Sequence, residues 1–142
     1  MTKREISVIL AGASQKEIIE IAAAIQESCE IQIMKPPQKT LVMVKARESV
    51  KKSLFYLGEV LASECMVLVD SAKGAAVLAG DDFDKVTAAA VIDGFLNLPD
   101  KKAEKEQVLG QIQKLGRQQA AERAKLNRAL RKSKVNFNVM GE

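Results

Sequence analysis

The chain has 142 residues, a formal net charge of +4, 47% hydrophobic and 28% charged residues, and neither histidine nor tryptophan. This balance fits one soluble globular domain with an aliphatic core. The lack of histidine excludes Ser-His and Cys-His nucleophile pairs and every histidine metal site, leaving acid–base work to Asp, Glu, Lys or Tyr56.

Lys3 and Arg4 precede an apolar stretch, Ile6–Ala13, that loosely resembles a signal peptide. Glu5 interrupts its basic region, and Ile6, Ile9, Leu10 and Ala13 follow helical spacing, which predicts a folded first helix instead. No stretch reaches the roughly 18 apolar residues of a membrane span. Ser14-Gln-Lys-Glu17 is a capping box, and Ile18, Ala22, Ile25 and Cys29 recur on one face behind it. A second helix follows, with Cys29 as a core thiol. Cys29 and Cys65 lack Cys-x-x-Cys spacing and read as buried thiols of a cytoplasmic protein.

A short extended piece, Ile31–Lys35, is expected to end at Pro36 and Pro37, neither of which can donate to a sheet ladder. Thr40–Arg47 and Phe55–Asp70 read as strands, with Gly58 marking a bend or bulge in the second. Leu61, Ser63, Cys65, Val67 and Val69 alternate onto one face, and Glu64 falls on the other. A turn at Ser71–Gly74 and a return strand over Ala75–Ala79 imply antiparallel pairing.

Asp81, Asp82 and Asp84 then raise a choice between a metal site and the polar start of a helix. The spacing lacks the central Gly and twelfth-position Glu of a calcium loop. An apolar helix, Ala88–Ile92 and beyond, begins just after them, so a helix cap with first-turn acids is the expectation and no metal site is assigned. Asn97–Asp100 ends that helix. Residues 101–132 are good helix formers with a stripe at Val108, Ile112 and Leu115, resumed at Leu126 and Leu130. Residues 101–134 hold eleven Lys and Arg against three Glu, while the rest of the chain holds eleven bases against fifteen acids. Such a basic helix suits an acidic protein partner, phosphate in nucleic acid, or simply a solvated face. Val135–Met140 alternates crudely and is expected to form a short terminal strand. No glycine-rich nucleotide loop and no nucleophile elbow occurs.

The residues therefore predict a single α+β domain over 1–142: an α+β core over 1–100 with N-terminal helices and an antiparallel sheet, and a tail over 101–142 comprising a long basic helix and a terminal strand. The partner-facing candidates are Leu126, Leu130, Val135, Phe137 and Met140. No catalytic, cofactor-binding or metal-ligating residue is assigned.

Several segments taken in order resemble the G-subunit family (PhnG) of the bacterial carbon–phosphorus lyase system. They are Lys35-Pro-Pro37, Leu41–Arg47, Phe55-x-Leu-Gly-Glu-Val60, Cys65, Gly74, Gly80-x-Asp82, Ile92-Asp93, and Lys134–Phe137 with Met140. The resemblance implies a cytoplasmic subunit of a complex with H, I and J subunits, functionally linked to an L protein. That system transfers an alkylphosphonate onto the ribose of ATP with release of adenine. ATP, magnesium and alkylphosphonate would be substrates of the whole complex, with no cofactor on this chain, no membrane partner, and nucleic acid only as a competing reading. The isolated subunit would be prone to self-association. Related proteins carry a glycine-rich run where this chain has Glu48–Leu54 without glycine; Lys51 and Lys52 are candidate phosphate contacts there. Glu64 replaces a basic residue of the family, Lys85 falls near its customary histidine, and Asn138 replaces its second terminal phenylalanine. The competing readings are a nucleic-acid-associated protein using the basic tail, and a phosphotransfer enzyme using Asp81–Asp84 with magnesium.

Overall fold

The computed structural model describes the backbone of residues 1–140 and the side chains of residues 1–132. The elements run α1 (Lys3–Gly12), α2 (Gln15–Ser28), β1 (Ile31–Arg47), β2 (Leu54–Val69), β3 (Ala72–Ala79), α3 (Phe83–Leu96) and α4 (Lys102–Met140). They divide between two compact units, one of residues 14–106 and one of residues 1–13 with 107 onward.

In the larger unit β1, β2 and β3 form an antiparallel sheet in that order. Ser14 caps α2 through the expected box: its hydroxyl accepts from the Glu17 amide, and the Glu17 carboxylate accepts from Ser14 N–H. Ile18, Ile21, Ala22 and Ile25 are buried behind it, and Cys29 is the buried C-cap residue. α3 lies between the sheet and α2, which explains why Val86, Ala88–Ile92 and Phe95 are buried around nearly the whole circumference of one helix. The β2 residues Ser63, Cys65, Val67 and Val69 face it and are buried, as their alternation predicts. Leu61 sits on the same face yet is 44% exposed, because it lies where α3 no longer covers the sheet.

Two sequence expectations are corrected here. β1 does not end at the prolines. It is an edge strand, and Pro36 and Pro37 together oppose the single residue Cys65 in a bulge, where no ladder donor is required. The β2–β3 turn is also tighter than expected. Asp70 (φ 51°) and Ser71 make it, so that Ala72, Lys73 and Gly74 already belong to β3. The bulge beside Gly58 is present: Leu57 is the unpaired extra residue between the Val44–Gly58 and Lys45–Tyr56 pairs.

The smaller unit pairs α1 with α4. Thr2 caps α1 with a second capping box to Glu5, which the sequence reading missed although Thr-x-x-Glu is its signature. Gln119 donates its side-chain amide to the Ile9 carbonyl at 2.9 Å. A Cβ at Gly116 would stand 2.8 Å from Ile9 Cδ1, so the missing side chain lets the two helices approach closely. Val108 and Ile112 are buried as the stripe predicts. α4 contains 39 residues, a rod of roughly 58 Å at the α-helical rise. The terminal strand expected over Val135–Met140 is absent, since the helix continues to Met140. No Pro or Gly interrupts residues 117–140, and each added helical residue gains a hydrogen bond that a strand without a neighbour would lack.

Candidate functional site

Asp82 is the N-cap of α3. Its carboxylate accepts from the Lys85 amide at 3.0 Å and from Gln15 Nε2 at 2.9 Å, tying the start of α3 to the start of α2. Asp84 lies in the first turn, where a negative charge complements the helix dipole. No group of three potential metal ligands occurs among the described residues. Asp82 and Asp84 each have a structural task at the start of α3.

A second polar cluster holds the α2–β1 junction. Asp70 and Glu30 exchange backbone contacts: Asp70 N–H donates to the Glu30 carbonyl, and Glu30 N–H donates to the Asp70 carboxylate, both at 2.9 Å. Lys101 (φ 59°) donates its ammonium to the Ser28 carbonyl, the Cys29 sulfur and the Asp70 carboxylate. The Glu30 amide is the main cause that holds the Asp70 carboxyl below its usual range, with Cys29 and Lys101 adding to it. Lys101 is raised, chiefly by its hydrogen bond to Cys29 and secondarily by Asp70. On the open face of the sheet, the Glu64 carboxylate meets Lys35 Nζ at 2.6 Å and Gln38 Nε2 at 2.7 Å, and these partners lower its pKa.

The most unusual surface is the outer half of the β1–β2 hairpin. β3 pairs with β2 only from Ala62 to Val69. At Gly80 (φ 96°) the chain turns away, fastened by the Gly80 amide to the Leu61 carbonyl and by the Ser63 hydroxyl to the Gly80 carbonyl. Beyond that point β1 and β2 continue as a two-stranded ribbon, from the Leu41–Leu61 pair to the Arg47–Leu54 pair. Leu41, Met43 and Leu61 are 44–61% exposed on the face that α3 covers further along. Val42, Val60 and Phe55 are 41–46% exposed on the opposite face. Leu57 at the bulge is 60% exposed.

Lys51 and Lys52, the phosphate-contact candidates, lie at the ribbon's tip and are exposed. The tip is an ordered turn. Glu48 N–H donates to the Ser53 carbonyl, Lys52 N–H to the Glu48 carbonyl, and the Arg47 guanidinium to the Lys52 carbonyl. Lys52 adopts φ 55°. The two ammonium groups thus project from a turn backed by Arg47.

The partner-facing candidates Leu126 and Leu130 lie on α4 and are 59% and 57% exposed, in a stretch where every residue from 121 to 132 is exposed. Val135, Phe137 and Met140 belong to the helical backbone of α4, and their side chains lie outside the described ones. The helix pair of the smaller unit also forms an open groove of about 660 Å³, lined by apolar residues such as Met1, Val8 and Ala120 together with Arg4, Arg117 and Arg123. The sequence reading missed this groove and the ribbon because each depends on which neighbour is absent. No helix among the described residues is long and apolar enough to cross a membrane.

A family model described as phosphonate metabolism protein PhnG matches residues 1–141 of the chain. No curated protein matches it.

Proposed function

The chain belongs to the phosphonate metabolism protein PhnG family, and on that premise we propose that it is an assembly subunit of the carbon–phosphorus lyase core complex. In this reading it binds H-, I- and J-type subunits and is linked functionally to an L-type protein. The complex transfers an alkylphosphonate onto ribose C1′ of ATP and releases adenine. Partner subunits supply the charge stabilisation that this displacement demands, and they hold ATP and magnesium. The cytoplasm is where these substrates meet.

The observation that carries the reading is the outer part of α4. Residues 121–132 are all exposed, yet Leu126 and Leu130 lie one helical turn apart on it. A polar helix that keeps an exposed leucine pair gains nothing from it alone and gains burial when a partner packs there. The test is co-expression of the full chain with its genomic H- and I-type neighbours, purified through a tag on the I-type protein and sized at low and moderate salt. A stoichiometric complex at both salts is the expected result. Failure to co-purify would overturn the reading.

A second reading has one observation in its favour. Residues 117–132 carry six Lys and Arg against one Glu on exposed helix. A nucleic-acid role would show as affinity for duplex DNA or RNA falling steeply with salt.

A further inference from the structure

We propose that the ribbon formed by Leu41–Arg47 and Leu54–Leu61 is an arm that inserts into a protein cleft with apolar walls on both sides and carboxylates at its far end. The proposal rests on the assembly reading above and names the element and the partner chemistry.

The argument begins with the two faces. An antiparallel pair normally buries one face and wets the other, with polar residues on the wet side. Here Leu41 and Met43 project from one face while Val42 and Phe55 project from the other, all at least 41% exposed. A flat partner can cover only one of these sets. An occupant that removes both from water must lie on both sides of the ribbon.

The area is sufficient for such an interface. Nine large apolar residues of the ribbon are 41–61% exposed. At that exposure they present on the order of 800 Å², about what one partner contributes to a standard stable interface. A free two-stranded ribbon is at best marginally stable in water, so coverage would also stabilise the strand pairing itself.

Charge identifies the far end of the cleft and separates a protein from a lipid bilayer. Arg47, Lys51 and Lys52 cluster at the tip, and Glu48 is turned into the tip's own hydrogen bonds. Membrane-inserting loops lead with apolar residues. The tip's one large apolar residue, Val50, is 82% exposed but is followed directly by Lys51 and Lys52, whose ammonium groups would have to enter the hydrocarbon with it. Carboxylates of a protein partner complement them instead.

The experiment uses the full chain with its H- and I-type partners. Three variants are compared with wild type: Leu41→Asp, Phe55→Asp, and Lys51→Glu with Lys52→Glu. The substituted residues are exposed, so the free variants should keep the wild-type urea midpoint, which is measured as a control. A cleft predicts that Leu41→Asp and Phe55→Asp each weaken the complex by roughly tenfold or more. The tip variant should slow association, with an effect that shrinks as salt rises. Hydrogen exchange on the wild-type complex should show protection of residues 41–47 and 54–61 relative to the free chain. An effect of only one aspartate variant would overturn the cleft in favour of a flat surface. Wild-type complex retained by both variants would overturn the arm and leave the assembly reading standing. Ribbon-dependent binding to phosphatidylglycerol vesicles, or a Phe55-dependent homodimer, with partner binding untouched, would replace the proposed occupant. If wild type itself fails to co-purify, the assembly reading and the arm fall together.

Discussion

Gly74 of β3 and Gly94 of α3 meet backbone to backbone: a Cβ on Gly74 would stand 2.7 Å from Gly94 Cα, and one on Gly94 would stand 3.2 Å from Gly74 Cα. The contact is flanked by two hydrogen bonds. The Asp93 carboxylate accepts from Ala75 N–H at 3.0 Å, and Asn97 Nδ2 donates to the Lys73 carbonyl at 2.9 Å. Helix and strand are thereby fixed in both distance and register. Gly74 and Asp93 are among the residues that carry the family resemblance, and the structure gives both a packing role.

Gly74→Ala should therefore be severe. Its methyl would lie 2.1 Å from the Ala90 carbonyl oxygen, a backbone atom that cannot rotate away. We expect a loss of about 3 kcal/mol or more, the upper end for overpacking, read as a lowered urea midpoint. Gly110→Ala is the matched control. Nothing lies within 4 Å of a Cβ there, so the same added methyl in α4 should stabilise by roughly 0.8–1 kcal/mol.

Asp82→Ala should cost about 1 kcal/mol through the lost cap on α3, while Asp82→Asn should retain most of that stability. The phosphotransfer alternative makes a different demand on the same residue. An Asp82→Asn chain that supports full activity in the reconstituted complex would exclude magnesium chemistry at this position.

Acid should loosen the α2–β1 junction. Asp70 has a folded pKa below its ordinary value of 3.8. A depressed carboxylate contributes stability that is present above the unfolded pKa and is lost as pH falls through the folded one. The window therefore lies below about pH 4. Asp70→Asn is compatible with the residue's φ of 51°, because asparagine tolerates that region. The variant should flatten this part of the acid limb in a urea-midpoint series from pH 2 to 7. An unchanged limb would assign the acid sensitivity elsewhere, for instance to Glu17, whose carboxyl is lowered chiefly by the Ser14 backbone amide.

Leu126→Ala and Leu130→Ala should separate assembly from stability. Both side chains are more than half exposed, so the isolated chain should change by less than about 0.5 kcal/mol. Co-purification with the partners should fall in either variant and more in the double. Intact assembly of the double variant would move the contact off this stretch of α4.

Local signals explain what the sequence revealed. The Ser14 box, the Asp82 cap and the stripe through Ile18, Ala22 and Ile25 each involve residues within a few turns, and all are present in the fold. The strands were visible through alternation. Their extent was not, because alternation says nothing about how far a neighbouring strand reaches. β3 stops opposite Ala62 and α3 covers the sheet no further, so Leu61 is a surface residue although it continues the core-facing alternation. Pro36 and Pro37 misled for a related reason: a proline excludes a central ladder position, and whether a strand is central is a tertiary fact. The Gly74–Gly94 contact and the Lys101 clasp on Cys29 and Asp70 join residues far apart in sequence, with no periodic signature.

The pairing of α1 with α4 has a consequence during synthesis. The larger unit is one continuous segment, so it can close on itself once it has left the ribosome. The smaller unit joins residues 1–13 to residues from 107 onward. At an elongation rate of roughly 20 residues per second, α1 waits about five seconds for α4. A ten-residue helix is too short to persist alone, even with the Thr2 capping box. For that interval Val8, Ile9 and Leu10 are open to any apolar surface nearby. A nascent chain in this condition is open to premature association until its own α4 arrives.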